Sequence, residues 1–218
     1  VHEHLGGGSL GVWEYAAVTM IVASLLFMMA AAPFHSWFVD MVTDAVLPVC
    51  GYLTLLPPFA FLACLISLMA GVFAPFSAFM QPALLMFSGL SLLIGALSAN
   101  GESNLRRLFA FGTVYNLGFM LLSIVTFNHT AVLSAFAYTV IYILSMAGIY
   151  TVFLGLKSRN NYLTELDDIS GLSNVKPYMS AALLVFMVSL IGIPPMLGFV
   201  GRLSVVNLSL IHISEPTR

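Results

Sequence analysis

The stretch "GIPPMLGFVGR", Gly192 to Arg202, places two prolines and a cation at the end of an apolar run long enough to cross a bilayer. Proline removes a backbone donor and clashes with the preceding turn, so Pro194 and Pro195 open the helical ladder. In lipid an open ladder is tolerated only where protein or a water-filled cavity satisfies it. A cation beside such a break has the chemistry of an ion path, in which a discontinuous helix and a fixed charge face something polar. Arg202 is therefore the first proton-path candidate; its alternative role is to snorkel to the membrane surface. His35 is the second, since imidazole titrates near neutrality; its alternative role is an interfacial side chain bonded to a carbonyl. Pro33, Pro58, Pro194 and Pro195 are the helix-break candidates, whereas Pro82 reads only as a kink within a packed helix.

Other local patterns carry little chemistry. "HEH" (His2, Glu3, His4) is a lone short cluster in a loop, and no metal site is assigned. "GGGS" lacks the Gly-Lys-Ser/Thr ending of a phosphate loop. Cys50 and Cys64 lie inside apolar runs and give neither a disulfide framework nor a ligand cluster. No Ser/His/Asp or Cys/His set is present, so no catalytic residue is assigned.

The elements that must position Arg202 and His35 follow from composition. Hydrophobic residues make up 60% of the 218 and charged residues 7%, against about 25% charged in a soluble domain. The mean hydropathy is +1.02. The chain therefore reads as an integral membrane protein whose partner is the lipid bilayer. A net charge of −2 without a basic arm excludes a nucleic-acid partner.

Six segments are apolar enough to span: 15–34, 46–73, 76–98, 108–127, 131–156 and 178–200. Their runs are continuous rather than alternating, so the fold class is an all-α polytopic transmembrane helix bundle and not a barrel. The loops after the first, third and fifth spans hold Arg106, Arg107, Lys157, Arg159 and Lys176, and the opposite loops hold no Lys or Arg. The positive-inside rule puts that basic face in the cytoplasm, or in the matrix of a mitochondrion, and starts Val1 outside. The acid run "TELDDISGL" reads as a solvated loop. The tail "LSLIHISEPTR", 208–218, reads like a translated sequencing adapter, which leaves 1–207 as the transmembrane domain and sets His212, Glu215 and Arg218 aside. Residues 1–207 then read as an internal fragment of a longer chain.

Three stretches in order resemble one family. "AAAPFHSWFVDMV" resembles the PFHxWxPDVY segment of the antiporter-like membrane subunits of respiratory NADH–quinone oxidoreductase (complex I). "SNLRRLFAFGTVYNLGFMLL" resembles their NIKRxLAYSSIxHxGYLL segment, and "LIGIPPMLGFVGR" their LAGIPPxxGFxGK segment. The last two point to the subunit N group, the bacterial counterpart of mitochondrial ND-two. The resemblance implies an inverted-repeat fold with two helices broken near mid-membrane. It implies a non-redox subunit of a translocase in the bacterial inner membrane, surrounded by other membrane subunits of the complex. Such a subunit binds no cofactor itself, while the complex uses NADH and quinone. Its proton path would run through a glutamate upstream and three lysines, which burial can bring toward neutral pKa.

Here the sequence departs from the pattern. The lysine five residues before PFH falls on Met28, the next on Pro58, and the last on Arg202. Two relay positions are thus lost, and the third holds a guanidinium that stays charged, with a pKa above about 12. Asp40 matches a family aspartate and is expected to cap a helix end or pair with a cation at the boundary. Arg106 and Arg107 match the family's basic pair and are expected to anchor a helix at the cytoplasmic surface. The alternatives to a proton-pumping subunit are a structural paralogue that conducts nothing and a cation/proton antiporter subunit outside respiration.

Overall fold

The computed structural model describes the backbone of residues 11–125, 129–156 and 164–214, and the side chains of these except 129–131 and 208–214. His2, Glu3, His4, Lys157, Arg159, Glu215 and Arg218 lie outside the described residues. The order is α1 (Val12–Met28), α2 (Ser36–Asp44), α3 (Leu47–Leu55), α4 (Pro57–Ala70), α5 (Ser77–Ala99), α6 (Leu105–Ile124), α7 (His129–Gly155), α8 (Leu172–Val175), α9 (Pro177–Ile191) and α10 (Leu197–Ser214). The single β-bridge among the described residues joins Asn104 to Glu165.

Four helical stretches are long and apolar enough to cross a membrane on their own: Leu47–Ala70, Ala74–Ala99, Leu105–Ile124 and Val132–Gly155. The two remaining expected spans differ from the sequence reading. The first helix stops at Met28, six residues before Phe34, because the chain turns through Ala30 at φ 61° and starts the separate short helix α2. The sixth is two helices, α9 and α10, separated by 192–196. The second span is interrupted where expected: Pro57 and Pro58 supply no N–H, so the ladder resumes only with Ala60 N–H on Leu56 O at 3.0 Å. Helix α5 runs unbroken through Pro82.

Helix α6 is the central element. Asn104 caps it, its side chain accepting from the amides of Arg106 (3.0 Å) and Arg107 (3.4 Å). Helix α5 lies against it at backbone distance. A Cβ on Gly95 would come within 2.7 Å of the Tyr115 nitrogen, and one on Gly118 within 2.9 Å of Leu92. Ser88 closes that seam by donating to Gly118 O at 2.9 Å. Helices α2, α3, α7 and α10 pack on the remaining faces of α6.

The three loops expected on the basic face meet at one end of the bundle. Arg106 Nη1 donates to Thr43 O (3.3 Å) and Ala45 O (3.0 Å), tying the third loop to the first. Leu105 N–H on Thr164 O and Leu166 N–H on Ser103 O, both 3.0 Å, tie the third to the fifth. Lys176 Nζ reaches back to Gly155 O at 3.2 Å.

Candidate functional site

The site is built at the end of α9. Every helix leaves its last carbonyls without intrahelical donors, and here the next turn cannot supply them. The N–H groups that would bond Leu190 O and Ile191 O belong to positions 194 and 195, both proline. Gly192 takes φ +77° and turns the chain out of the helix, and α10 begins at Leu197. Arg202, in the second turn of α10, folds back and provides both missing donors. Its Nη1 donates to Ile191 O at 2.8 Å, and its Nη2 donates to Leu190 O.

The rest of the guanidinium faces α6 and α7. Nε donates to Tyr138 Oη at 3.1 Å, and Nη2 also reaches Asn116 Oδ1 at 3.3 Å. Tyr138 Oη donates in turn to Asn116 Oδ1. Asn116 Nδ2 donates to Gly112 O at 2.7 Å, which fixes the amide so that its oxygen points at the cation. The rings of Tyr115 and Phe119 lie 5.4 and 5.2 Å from the guanidinium carbon, and their faces favour a cation. Three glycines let these parts close. A Cβ on Gly198 would collide with the Ser189 carbonyl, one on Gly201 would reach the Tyr138 ring at 2.7 Å, and one on Gly192 would touch Arg202 Cδ at 3.0 Å.

The charge has no carboxylate partner among the described residues, whose one ion pair joins Arg107 to Glu102 at 3.1 Å. It is offset instead by helix-end carbonyls, an amide oxygen and ring faces. A lysine ammonium could not span this set. The planar fork reaches two adjacent carbonyls and two side chains at once, and it holds its proton. Chemically, the arrangement pins a helix break and keeps a fixed positive charge beside it.

The other expected positions lie apart from this node. His35 stands at the start of α2, half-buried, its ring 6.1 Å from Phe111 and its Nδ1 buried without a hydrogen-bond partner among the described residues. Pro33 is exposed in the turn before it. Met28 ends α1 half exposed, and Pro58 is buried in the first turn of α4; neither is among the partners of Arg202. Arg106 anchors α6 to the end of α2, and Arg107 pairs with Glu102 at the same surface. Asp40 was expected to cap a helix end or pair with a cation at the boundary. It sits mid-way along α2, exposed, with Ala45 as the C-cap residue and no cation in ion-pair range among the described residues.

Sequence reasoning missed the hydroxyl side chains of α7. Tyr138, Tyr142 and Ser145 fall on one face at i, i+4 and i+7. Tyr142 Oη and Thr113 Oγ1 are 2.9 Å apart, and Ser145 Oγ and Ser189 Oγ 3.0 Å. That periodicity was the available signal, but tyrosine inside an apolar run reads first as packing.

Comparison with known proteins places this geometry. The family described as NADH:quinone oxidoreductase/Mrp antiporter, transmembrane, matches residues 9–212. NADH-quinone oxidoreductase subunit N of Rhodospirillum rubrum is 32% identical over 197 residues, covering 90% of this chain and 40% of that protein. Subunit N of Hirschia baltica is 30% identical over 200 residues, covering 92% and 42%. The chain thus spans about two-fifths of the length of these relatives. Among solved structures, respiratory complex I from Thermus thermophilus with bound aureothin matches at TM-score 0.76 and 27% identity over 96% of this chain and 48% of the matched one. The Mrp complex from a Dietzia species matches in fold, at TM-score 0.85 and 23% identity over 92% and 37%. The chain is a multi-pass helical membrane protein and belongs to the NADH:quinone oxidoreductase/Mrp antiporter transmembrane family.

Proposed function

We propose that this chain is the subunit N-like part of a proton-translocating NADH–quinone oxidoreductase, seated in a bacterial inner membrane among other membrane subunits. It contributes a proton path there and binds no cofactor; NADH and quinone react elsewhere in the complex. The observation that carries this reading is the α9–α10 break with a cation held inside the bundle, in a chain aligned with subunit N relatives over 90% of its length. Arg202 holds the break open and sets the local charge. His35, whose buried Nδ1 has no hydrogen-bond partner among the described residues, is the second candidate residue of the path.

A second reading is a structural paralogue that keeps the bundle and conducts nothing. The loss of lysine at Met28 and Pro58, with a non-titrating Arg202, favours it. An antiporter subunit outside respiration is supported only by the shared fold. The deciding experiment places the full-length chain in its assembled complex in proteoliposomes and counts protons moved per NADH oxidised. The pumping reading expects Arg202→Ala to lower that ratio. An unchanged ratio removes Arg202 from the path. Met28→Lys with Pro58→Lys tests the lost positions: a ratio that does not rise means they were not relay sites in this chain.

A further inference from the structure

Resting on the proton-path reading, we propose that Asn116 is the positioning residue for Arg202, and that the two form a matched pair which holds a positive charge in the bundle and exchanges no proton.

Asn116 is buried near the middle of α6 and reaches the guanidinium in two ways. Directly, its Oδ1 accepts from Nη2 at 3.3 Å. Indirectly, the same oxygen accepts the hydrogen bond of Tyr138 Oη, and that hydroxyl oxygen in turn accepts from Nε at 3.1 Å. One side chain thus orients two of the three guanidinium nitrogens. The amide can do so in one orientation only, because Nδ2 donates to Gly112 O at 2.7 Å. Turned over, it would point N–H groups at Nη2 and its oxygen at the Gly112 carbonyl, and both bonds would be lost.

Neither member titrates near neutrality. A guanidinium does not give up its proton, and an amide neither gains nor loses one. The two positions differ together from the motifs they resemble. The segment NIKRxLAYSSIxHxGYLL carries histidine where this chain has Asn116, and LAGIPPxxGFxGK carries lysine where it has Arg202. Proton exchange between such a pair needs a donor that can lose the proton and an acceptor that can hold it. From lysine to histidine, an N–H bond of the ammonium breaks, one forms on the imidazole, and the positive charge moves with the proton. Arg202 blocks the first half of that step and Asn116 the second. The mixed pairs fit poorly. Histidine beside Arg202 must stay neutral, since protonation would set two cations in contact. Lysine beside Asn116 lacks the second nitrogen that spans the amide and the α9 carbonyls. The residue at 116 therefore selects the residue at 202.

The test uses the full-length chain in its assembled complex. The first arm reads the thermal midpoint of Asn116→Leu, Arg202→Lys and their double variant. Leucine keeps the size of the amide and removes its acceptor. Both changes break the same contacts, so the double variant is expected to lose clearly less than the two single losses added together. Additive losses overturn the proposal. The second arm reads protons per NADH in proteoliposomes from about pH 5 to 8, for the parent, Asn116→His, Arg202→Lys and the double of these. The parent and both single variants are expected to share one profile. The double is expected to add a step, since it alone sets a proton donor beside a proton acceptor. A step in a single variant, a double that follows the singles, or a double that fails to assemble where both singles assemble overturns the proposal. Arg202→Ala separates the path reading: an unchanged ratio there removes Arg202 from the path, and the first arm then decides by itself whether Asn116 positions it.

Discussion

Arg106 and Arg202 each turn a guanidinium onto the last carbonyls of a helix, at two different levels of the bundle. Arg106 stands in the first turn of α6 and closes the end of α2 through Thr43 O and Ala45 O. Its Nε is buried and has no partner among the described residues. Arg202 meets α6 at Asn116, eleven residues beyond Leu105 and so about 16 Å along the axis. There Nε, Nη1 and Nη2 are all engaged, by helices α6, α7 and α9. At the rim the fold leaves one buried donor of Arg106 without a protein partner among the described residues. At the α9–α10 break the fold meets Nε, Nη1 and Nη2 alike, which avoids the desolvation cost of an unmet donor.

That contrast can be broken by substitution. Arg202→Ala leaves Leu190 O, Ile191 O and Asn116 Oδ1 short of a donor. Asn116 Oδ1 keeps Tyr138 and Ile191 is exposed, so Leu190 O carries most of the cost, for an expected loss of about 1–3 kcal/mol. It is read as a lowered thermal midpoint of the purified complex or as failed assembly. Arg202→Lys keeps the charge but not the fork and is expected to recover less than half of that loss. A lysine as stable as the parent would mean that depth does not demand the fork. Next in size, Tyr138→Phe removes the acceptor for Nε and one donor to Asn116, for an expected loss of about 1–2 kcal/mol in the same measurement.

Arg106→Ala is expected to cost about 1 kcal/mol, since the freed carbonyls of α2 can turn to water. Arg106→Lys should restore it nearly fully, unlike the same change at Arg202. The smallest effect belongs to the basic-face loop. Asp168 accepts from the amides of Glu165 (3.0 Å) and Thr164 (2.9 Å), and these bonds hold its carboxyl below the usual carboxylate range. A depressed folded-state value gives stability that is present above the ordinary carboxylate pKa of about 3.9 and lost as pH falls through the folded one. Amide exchange at Thr164 and Glu165, corrected for intrinsic rate, should lose protection over that acid window. In Asp168→Asn the pH dependence should vanish.

Much of the frame was legible because lipid allows few solutions. Apolar run length, Pro57–Pro58, Pro194–Pro195 and the clustering of Arg106, Arg107 and Lys176 located the spans, both breaks and the basic face. What stayed hidden depends on side-chain reach. Met28 and Phe34 belong to one apolar run, and only the turn at Ala30 separates α1 from α2. Asp40 looked like a boundary group from its motif, yet a position mid-way along a short helix offers it no orphan amide to cap. Asn116 was visible as a polar residue inside a span. Its partners, 22 and 86 residues away, were not. Tyr142 and Ser145 fall in the same class, since their hydroxyls acquire meaning only once α6 and α9 pack against α7.

The amide of Asn116 carries one more implication. Its oxygen accepts hydrogen bonds from Tyr138 and Arg202, while its nitrogen donates to Gly112 O. Aspartate has nearly the same outline and would set a negative oxygen beside the guanidinium. The electrical sign of the protein's interior therefore turns on one nitrogen atom. With it the guanidinium has a neutral amide as its neighbour, and without it a carboxylate would stand there.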